Sequence, residues 1–217
     1  MNVFNKILDL FFPRKCVFCR KILHIKEEGW CEVCTESLPY TEFGSKIEGD
    51  YFDFCISPLF YKGVPREALL SFKFKNAPVY ADSLGKMLAE CIMEHPDMND
   101  YDIITWVPLS QKRKRTRGYD QAELIALATA KQLNDAAKEV LKKSLDVKPQ
   151  SEFRDAGERR ANIDGAYDVI DSSLVKDRCV LLIDDIITTG STLSECAKVL
   201  LDAGAHRVVC ACMCKGE

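Results

Sequence analysis

The fold is decided by residues 180–192, which have the sequence VLLIDDIITTGST. Four apolar residues open this stretch, and an apolar run without polar alternation predicts a buried strand of a parallel sheet. Asp184 and Asp185 follow at the carboxyl end of the strand, where open α/β sheets bind their ligands. A loop rich in hydroxyl groups then leads into a helical pattern, and it consists of Thr188, Thr189, Gly190, Ser191 and Thr192.

This loop has the composition of a phosphate site. Free backbone N–H groups and the positive end of the helix dipole favour an anion just before a helix. The carboxylates of Asp184 and Asp185 lie a few residues back along the chain, where they can accept hydrogen bonds from vicinal hydroxyls. A phosphate together with a diol indicates a ribose 5-phosphate. The alternative is that the two aspartates only end a strand and start a turn.

Two other phosphate motifs are excluded, because the chain has neither GxxxxGK[ST] nor GxGxxG. The stretch resembles the ribose-5-phosphate signature of type I phosphoribosyltransferases. In that family the acidic pair contacts the ribose hydroxyls of 5-phosphoribosyl pyrophosphate (PRPP), and the loop binds the 5-phosphate. The resemblance implies that Asp184 and Asp185 are catalytic, that residues 188–192 bind substrate, and that Mg²⁺ bridges pyrophosphate and ribose oxygens.

The composition describes an ordinary globular protein. With 217 residues, 47% of them apolar and 29% charged, the chain can form one α/β domain with a small appendage. A net charge of -3 argues against a protein that coats nucleic acid non-specifically. No apolar run is long enough to span a membrane, and no signal peptide is predicted. Eleven cysteines, some in CxxC pairs and some in apolar runs, indicate a metal site and core thiols in a reducing compartment, so we expect a cytoplasmic protein.

The N-terminal fifth of the chain predicts a helix and a metal site. Residues 1–13 form an amphipathic pattern that Pro13 ends, typical of a short helix docked on the body or on a partner. Residues 14–50 are predicted to form a zinc ribbon and linker, because two CxxC pairs this close can supply four thiolates to one tetrahedral, structural Zn²⁺. These ligands are Cys16, Cys19, Cys31 and Cys34. Disulfides or a redox pair are the alternative, and the sequence does not separate a ribbon that binds nucleic acid or protein from one that caps a domain.

Residues 51–217 are predicted to form the phosphoribosyltransferase-like domain. A second buried strand, 103–107, ends at Pro108 and leads into a basic loop at residues 112–117. Because this loop leaves the same edge of the sheet as the phosphate loop, we expect it to bind pyrophosphate; nucleic-acid phosphate and a solvated face are the alternatives. The substrate-binding candidates from this half are Val107, Pro108, Arg113, Arg115, Arg117 and, at the end of a helix predicted over 65–74, Lys73.

The order of these features resembles the ComF family of competence proteins. The features are the four-cysteine ribbon, the Val107-Pro108 strand end, RGYDQAEL at 117–124 and IDDIITTGST at 183–192. In that family a zinc ribbon is joined to a phosphoribosyltransferase-like domain, and members are tied to DNA uptake in natural transformation. The resemblance implies PRPP or ribose 5-phosphate as ligand, and single-stranded DNA and a competence helicase as partners. Residues 150–164 are the candidate for a hood over the site, with Arg159 and Arg160 reaching over it.

Three functions remain open at this point. The first is a phosphoribosyltransferase whose acceptor the sequence does not identify, since no N-terminal cysteine with a glutaminase domain supplies ammonia. The second is a non-catalytic competence factor that holds DNA or a helicase and senses nucleotides. The third is a salvage transferase for a free base. The sequence predicts no oligomeric state. It places Cys210, Cys212 and Cys214 on one face of a final strand, as core thiols.

Overall fold

The computed structural model describes residues 13–42, 45–74, 78–98, 100–144 and 165–216. The helix predicted for residues 1–13 lies outside these ranges except for Pro13. The predicted hood at 150–164, with Arg159 and Arg160, lies outside them entirely. The predicted domain boundaries at residues 13 and 50 stay predictions.

Seven strands and six α-helices form in the described part of the chain. The strands are β1 (Cys55–Ile56), β2 (Leu59–Phe60), β3 (Ile103–Trp106), β4 (Leu141–Lys143), β5 (Tyr167–Val169), β6 (Cys179–Ile187) and β7 (Arg207–Lys215). The helices are α1 (Glu32–Ser37), α2 (Gly63–Phe74), α3 (Ala81–Glu94), α4 (Gln111–Arg117), α5 (Gln121–Gln132) and α6 (Ser191–Asp202). Short 3₁₀ turns occur at Pro78–Tyr80, Pro96–Met98 and Ser172–Leu174.

The main sheet is parallel and has the order β1-β7-β6-β3, with β2 also paired to β7. β1 pairs with β7 at Cys210 and β2 pairs with it at Cys214, so the two short strands lie in line along one edge. Pro58 lies between them, and proline has no N–H to donate to a ladder. β4 and β5 form a separate antiparallel pair that is not part of the main sheet.

Helices cover both faces of this sheet, which explains the continuous apolar runs of its central strands. On one face, Leu181 and Ile183 of β6 pack with residues of α2, α3 and α5. On the other face, Val180 and Leu182 pack with residues of α6 and of the β4–β5 pair. The predicted fold class, a parallel α/β sheet flanked by helices, is confirmed.

The prediction for the three cysteines of β7 is only partly right. All three are buried, but Cys210 and Cys212 pack on the α6 side of the sheet while Cys214 packs on the α2 side. Met213 also packs on the α2 side, so the two-residue alternation of the strand is broken between Met213 and Cys214. The three thiols therefore do not share a face.

The cysteine-rich segment packs directly on the body of the protein. Its buried residues Val17, Phe18 and Leu38 belong to the same core cluster as α2 and α3. At its surface, Lys86 Nζ of α3 lies 2.9 Å from Glu28 Oε2. No helix in the described ranges is both long enough and apolar enough to cross a bilayer.

Candidate ligand site and zinc centre

The predicted phosphate loop, residues 188–192, lies at the carboxyl end of β6 and turns into α6. Gly190 occupies the position before the helix with φ of 75°, a left-handed conformation that glycine adopts without steric cost. Having no side chain, Gly190 leaves the N–H groups of the first helical turn facing the loop, where they favour an anion. The hydroxyls of Thr189 and Ser191 lie 2.8 Å apart and complete a polar rim.

Asp184 and Asp185 point to opposite faces of the sheet, as successive residues of a strand do. Asp184 shares a depression with residues 186–193 and so lies beside the phosphate loop. Asp185 is directed to the α2 side, where its Oδ2 lies 2.7 Å from Nζ of Lys73. The backbone N–H of Asp185 donates to Asp184 Oδ1 at 2.8 Å. The two carboxylates are adjacent but have different surroundings.

These surroundings set the protonation of the site. Burial raises the pKa of Asp184 well above its usual range, and the charge of Asp185 raises it further. For Lys73, burial lowers the pKa, but the charge and hydrogen bond of Asp185 outweigh burial, so the net pKa is raised and the ammonium persists. Lys73, which sequence placed at a helix end, is therefore part of an ion pair at the sheet edge.

The basic segment 112–117 was predicted as a loop and is a helix, α4. The side chain of Ser110 caps it by accepting from the N–H of Arg113 at 3.4 Å, and Gly118 ends it in a left-handed turn. The cations of α4 have different surroundings from one another. Arg117 donates to Gln121 Oε1 at 2.9 Å, lies 5.1 Å from the ring centroid of Phe74, and is close enough to Asp185 for its charge to be felt.

The other cations of α4 are less directly placed. Arg113 interacts electrostatically with Arg117 and with Tyr167 of β5. Lys114 is held away from the site by Glu123, at 2.6 Å. Arg115 is exposed, and no described contact joins it to the aspartates or to the phosphate loop. Arg117 is thus the cation of α4 that approaches the acidic pair most clearly.

Asp120 has a positioning role that sequence only partly suggested. It caps α5 by accepting from the N–H groups of Ala122 and Glu123 at 3.1 and 3.4 Å. It also accepts from the N–H of Leu109 at 2.6 Å, a link across eleven residues that local sequence does not predict. Burial raises the pKa of Asp120 to about 6, although these N–H groups oppose the shift.

That link fixes the segment after β3. The N–H of Val107 donates to Ile183 O at 3.0 Å, which extends the pairing of β3 with β6. Both Val107 and Pro108, the first residues of the segment between β3 and α4, are buried. Their predicted contact with substrate stays a prediction.

The four predicted metal ligands converge. The Sγ atoms of Cys16, Cys19, Cys31 and Cys34 all lie within 4.8 Å of one another. Two Sγ–Sγ distances, Cys16 to Cys34 and Cys19 to Cys31, are 3.6 Å. A tetrahedral Zn²⁺ with Zn–S bonds of about 2.3 Å requires sulfurs about 3.8 Å apart, so the cluster fits this ion.

The thiols of the cluster differ in acidity, because burial raises the pKa of Cys31 and Cys34 while Cys16 shifts the other way. Burial raises the pKa of Cys16, but hydrogen bonds from the backbone of Cys19, Cys31 and Phe18 outweigh it and bring the value down to about 7. Burial raises the pKa of Cys34 instead. A closed, buried set of four thiolates supports a structural zinc site.

Comparison with known proteins agrees with both parts of the chain. The sequence matches the phosphoribosyl transferase domain over residues 121–217 and the double zinc ribbon domain over residues 7–44. It is 28% identical to "Competence protein F" of Haemophilus influenzae, covering 91% of this chain and 95% of that protein. It is 30% identical to "DNA utilization protein YhgH" of Salmonella typhimurium, covering 95% of this chain and 99% of that protein.

Among solved structures, an allosteric regulatory enzyme of purine biosynthesis is 22% identical with a TM-score of 0.43. That match covers 63% of this chain and 25% of the enzyme, so the chain spans about a quarter of the enzyme's length. The similarity is too weak to indicate a function. The relationship to YhgH, by contrast, extends over almost the whole of both chains. The protein therefore belongs to the ComF family, in which a zinc ribbon is joined to a phosphoribosyltransferase-like domain.

Proposed function

We propose that this protein binds PRPP together with Mg²⁺ at the carboxyl edge of its parallel sheet. The observation that carries the proposal is that different functional groups lie on the two sides of β6 at this edge. The phosphate loop and Asp184 lie on the α6 side, while Lys73, Asp185 and Arg117 lie on the α2 side. One side suits the 5-phosphate and ribose hydroxyls. The other offers two cations to the pyrophosphate.

Charge supports this arrangement. PRPP carries phosphate groups at both ends of its ribose, and each end needs its own donors. Backbone N–H groups at the start of α6 and the hydroxyls of Thr189 and Ser191 serve one end. Lys73 and Arg117 serve the other, at a position where burial makes their charges effective.

The donor set also fits Mg²⁺. This ion prefers oxygen ligands and is commonly held through one or two carboxylates plus substrate phosphates. Asp184, whose carboxyl is not engaged by Lys73, is the residue that would hold it directly or through water. When bound, Mg²⁺ would neutralise charge on the pyrophosphate. A cation beside Asp184 would also favour its ionised form and so counteract the rise of its pKa.

If the protein is a transferase, the reaction is displacement at the ribose C1. The acceptor's lone pair forms the new bond as the bond from C1 to the pyrophosphate oxygen breaks, and pyrophosphate leaves with that electron pair. Positive charge develops on the ribose ring, and the carboxylate of Asp184 or Asp185 would stabilise it. The acceptor stays unassigned, and no protein nucleophile is needed.

We further propose that the site works in DNA uptake or utilization, as the names of the relatives suggest. A specific observation favours contact with single-stranded DNA. Phe74 is 67% exposed and has the Arg117 guanidinium 5.1 Å from its ring centroid. Exposed aromatic rings beside arginine are typical of surfaces that stack bases. A competence helicase is the proposed protein partner, and the thiolate-rich zinc site suits the reducing cytoplasm.

The first experiment is calorimetric titration of zinc-loaded protein with PRPP and Mg²⁺, with ribose 5-phosphate and AMP as comparators. We expect Mg²⁺-dependent preference for PRPP. Asp184→Asn should weaken binding at least about tenfold, the loss of one charge-assisted interaction. Because the raised pKa of Asp184 keeps its carboxyl protonated at lower pH, affinity should rise with pH in the wild type and less so in Asp184→Asn.

The control is Asp82→Asn, which alters an exposed carboxylate in the first turn of α3. Equal affinities of Asp184→Asn and wild type would refute the proposed site. Equal binding of AMP and PRPP would instead identify a nucleotide sensor. For DNA, the measurement is the salt dependence of single-stranded DNA binding, in which Phe74→Ala should weaken binding and Arg115→Gln should change it less.

A further inference from the structure

A cavity of about 250 Å³ lies away from the phosphate loop, between the ribbon and the body. Its walls come from the ribbon at Trp30, from the following segment at Tyr40, from the outer edge of the sheet at Ile56 and Pro58, and from the last turns of α3. None of its lining residues belongs to the acidic pair or to the phosphate loop. The two sites are therefore separate.

One wall carries a buried hydrogen-bond donor, on His95, that has no partner in the described part of the chain. His95 is 4% exposed and stacks on Phe54 with ring centroids 5.6 Å apart. Its Nδ1 accepts from the N–H of Asp97 at 3.3 Å, which places the proton of the neutral ring on Nε2. That Nε2 is buried and has no hydrogen-bond partner among the residues described. A buried N–H without an acceptor is costly, so an acceptor on a ligand would be stabilising.

The charges on the cavity wall are all of one sign. Of the described residues that line the cavity, Glu42, Glu90 and Glu94 carry negative charge, and none is a lysine or an arginine. The nearest lysine of α3, Lys86, is paired with Glu28 instead. Burial raises the pKa of Cys91 to about 11, so this lining thiol is neutral.

Glu90 is the carboxylate most affected by its position. Burial raises its pKa, Lys86 opposes this, and the charge of Glu94 one turn along α3 raises the pKa again. Glu90 is partly buried and Glu94 is exposed, so the negative charge of Glu94 acts on the less solvated Glu90, and a cation between the two carboxylates would relieve their repulsion. An anionic ligand such as a phosphate would instead be repelled.

We propose that this cavity binds a small, flat molecule that carries an amine or amidinium group. The cationic group lies against Glu90 and Glu94, the flat body packs against Trp30 and the apolar wall, and an acceptor takes the N–H of His95. The volume admits a single ring system, somewhat below the usual range of about 300–1,000 Å³ for ligand pockets. Protonated amines and amidines with a single ring system are within this class, and nucleotides are outside it because of their phosphates.

The test is calorimetric titration of the full-length, zinc-loaded protein with benzamidine, and with benzoate as its anionic counterpart. We expect saturable benzamidine binding with a dissociation constant of about 1 mM, as a ligand of about nine non-hydrogen atoms attains. Benzoate should bind at least about tenfold more weakly, because it replaces attraction by repulsion. A second titration uses adenine, a flat neutral molecule that can accept from His95 but brings no positive charge to Glu90, and it should bind more weakly than benzamidine.

Variants locate the site. Glu90→Gln should weaken benzamidine binding about tenfold, the loss of one charge-assisted hydrogen bond, while zinc content stays unchanged. Glu67→Gln, on an exposed part of α2, is the matched control and should bind like the wild type. For adenine, His95→Phe keeps the stacked ring and removes the donor. Absence of saturable benzamidine binding, equal affinity for benzoate, or no effect of Glu90→Gln would each overturn the proposal.

Discussion

At the scale of single residues, the acidic pair is two sites rather than one. Asp185 is fixed by Lys73 at 2.7 Å, while Asp184 faces the phosphate loop with a raised pKa. A buried carboxylate that loses its cation is left as an uncompensated charge, which costs far more than the pair contributes. The Lys73–Asp185 pair therefore keeps the edge of the sheet intact as well as offering a cation to a ligand.

A double-mutant cycle tests this interpretation. Lys73→Met should lower the free energy of unfolding by about 2–4 kcal/mol, because Asp185 is left buried and unpaired. Combining it with Asp185→Asn should restore more than half of that loss, since no buried charge then remains. The measurement is urea unfolding of all four proteins at one pH. Lys131→Met, an exposed lysine of α5, is the control and should change stability by less than about 0.5 kcal/mol.

If the two substitutions were simply additive in the cycle, Lys73 and Asp185 would not be coupled. The ion pair would then be a surface contact of little consequence.

At the scale of elements, the joint between β3, α4 and α5 is held by Asp120. The carboxylate joins the N–H of Leu109 to the first turn of α5 and so spans α4. Its pKa of about 6 lies above the value of about 3.9 for an unfolded aspartate, so the folded protein binds its proton more tightly. Ionisation of Asp120 must therefore cost stability as the pH rises through this interval.

Asp120→Asn removes that ionisation and keeps a capping oxygen. From pH 5 to pH 7 the wild type should lose about 1 kcal/mol of stability relative to Asp120→Asn. Denaturant unfolding of both zinc-loaded proteins at the two pH values measures the difference, in which other titrating groups cancel. Asp120→Ala, without the cap, should be less stable than Asp120→Asn at both pH values by about 1–2 kcal/mol. A difference that does not change with pH would contradict the raised pKa.

Much of this element scale was predictable from sequence. The β6 strand, the helix after it and the cap at Asp120 follow from local patterns, and so does the convergence of four cysteines. What failed depended on distant contacts. The basic segment forms α4 because Ser110 caps its N-terminus and Gly118 ends it in a left-handed turn. The run of cations between them favoured the prediction of a loop, although the two capping residues indicate a helix.

The ligand site was predictable only where its residues are close together in sequence. Residues 188–192 and Asp184 are adjacent in sequence, so their common depression was expected. Lys73 was predicted as a substrate-binding residue, but its ion pair with Asp185 could not be predicted, because the two residues are more than a hundred positions apart in sequence. The β4–β5 pair, outside the main sheet, likewise has no signal in either strand alone.

At the scale of the whole molecule, the ribbon is built into the body rather than tethered to it. Gly29 of the ribbon lies close to α3. Its φ is 82°, and a Cβ there would lie 3.1 Å from the side chain of Ser83 on α3. Any other residue would strain the backbone and separate the ribbon from α3.

Gly29→Ala should lower the melting temperature by about 4–8 °C, corresponding to about 2 kcal/mol for a chain of this size. The control is Gly63→Ala, where φ is also positive at 53° but a Cβ would meet nothing within 4 Å. The melting temperature of Gly63→Ala should fall by only about half as much, because this variant has the cost of the left-handed backbone but no steric clash. Differential scanning calorimetry of zinc-loaded proteins measures both. Equal losses would mean that the ribbon can shift on α3 without cost.

The position of Phe52 has a consequence for how metal and ligand influence each other. Its buried ring lies against Gly49, in the segment that leaves the ribbon, and also close to Gly190 in the phosphate loop. If occupancy of the loop tightens this contact and the contact stabilises the ribbon, the ligand site and the zinc site are coupled, and such coupling is reciprocal. The protein with PRPP bound should then release zinc to a chelator more slowly than the free protein. Replacing Phe52 by leucine should make the two rates converge. The rate of zinc release from the N-terminal ribbon would therefore indicate whether the phosphate loop near the C-terminus has a ligand bound.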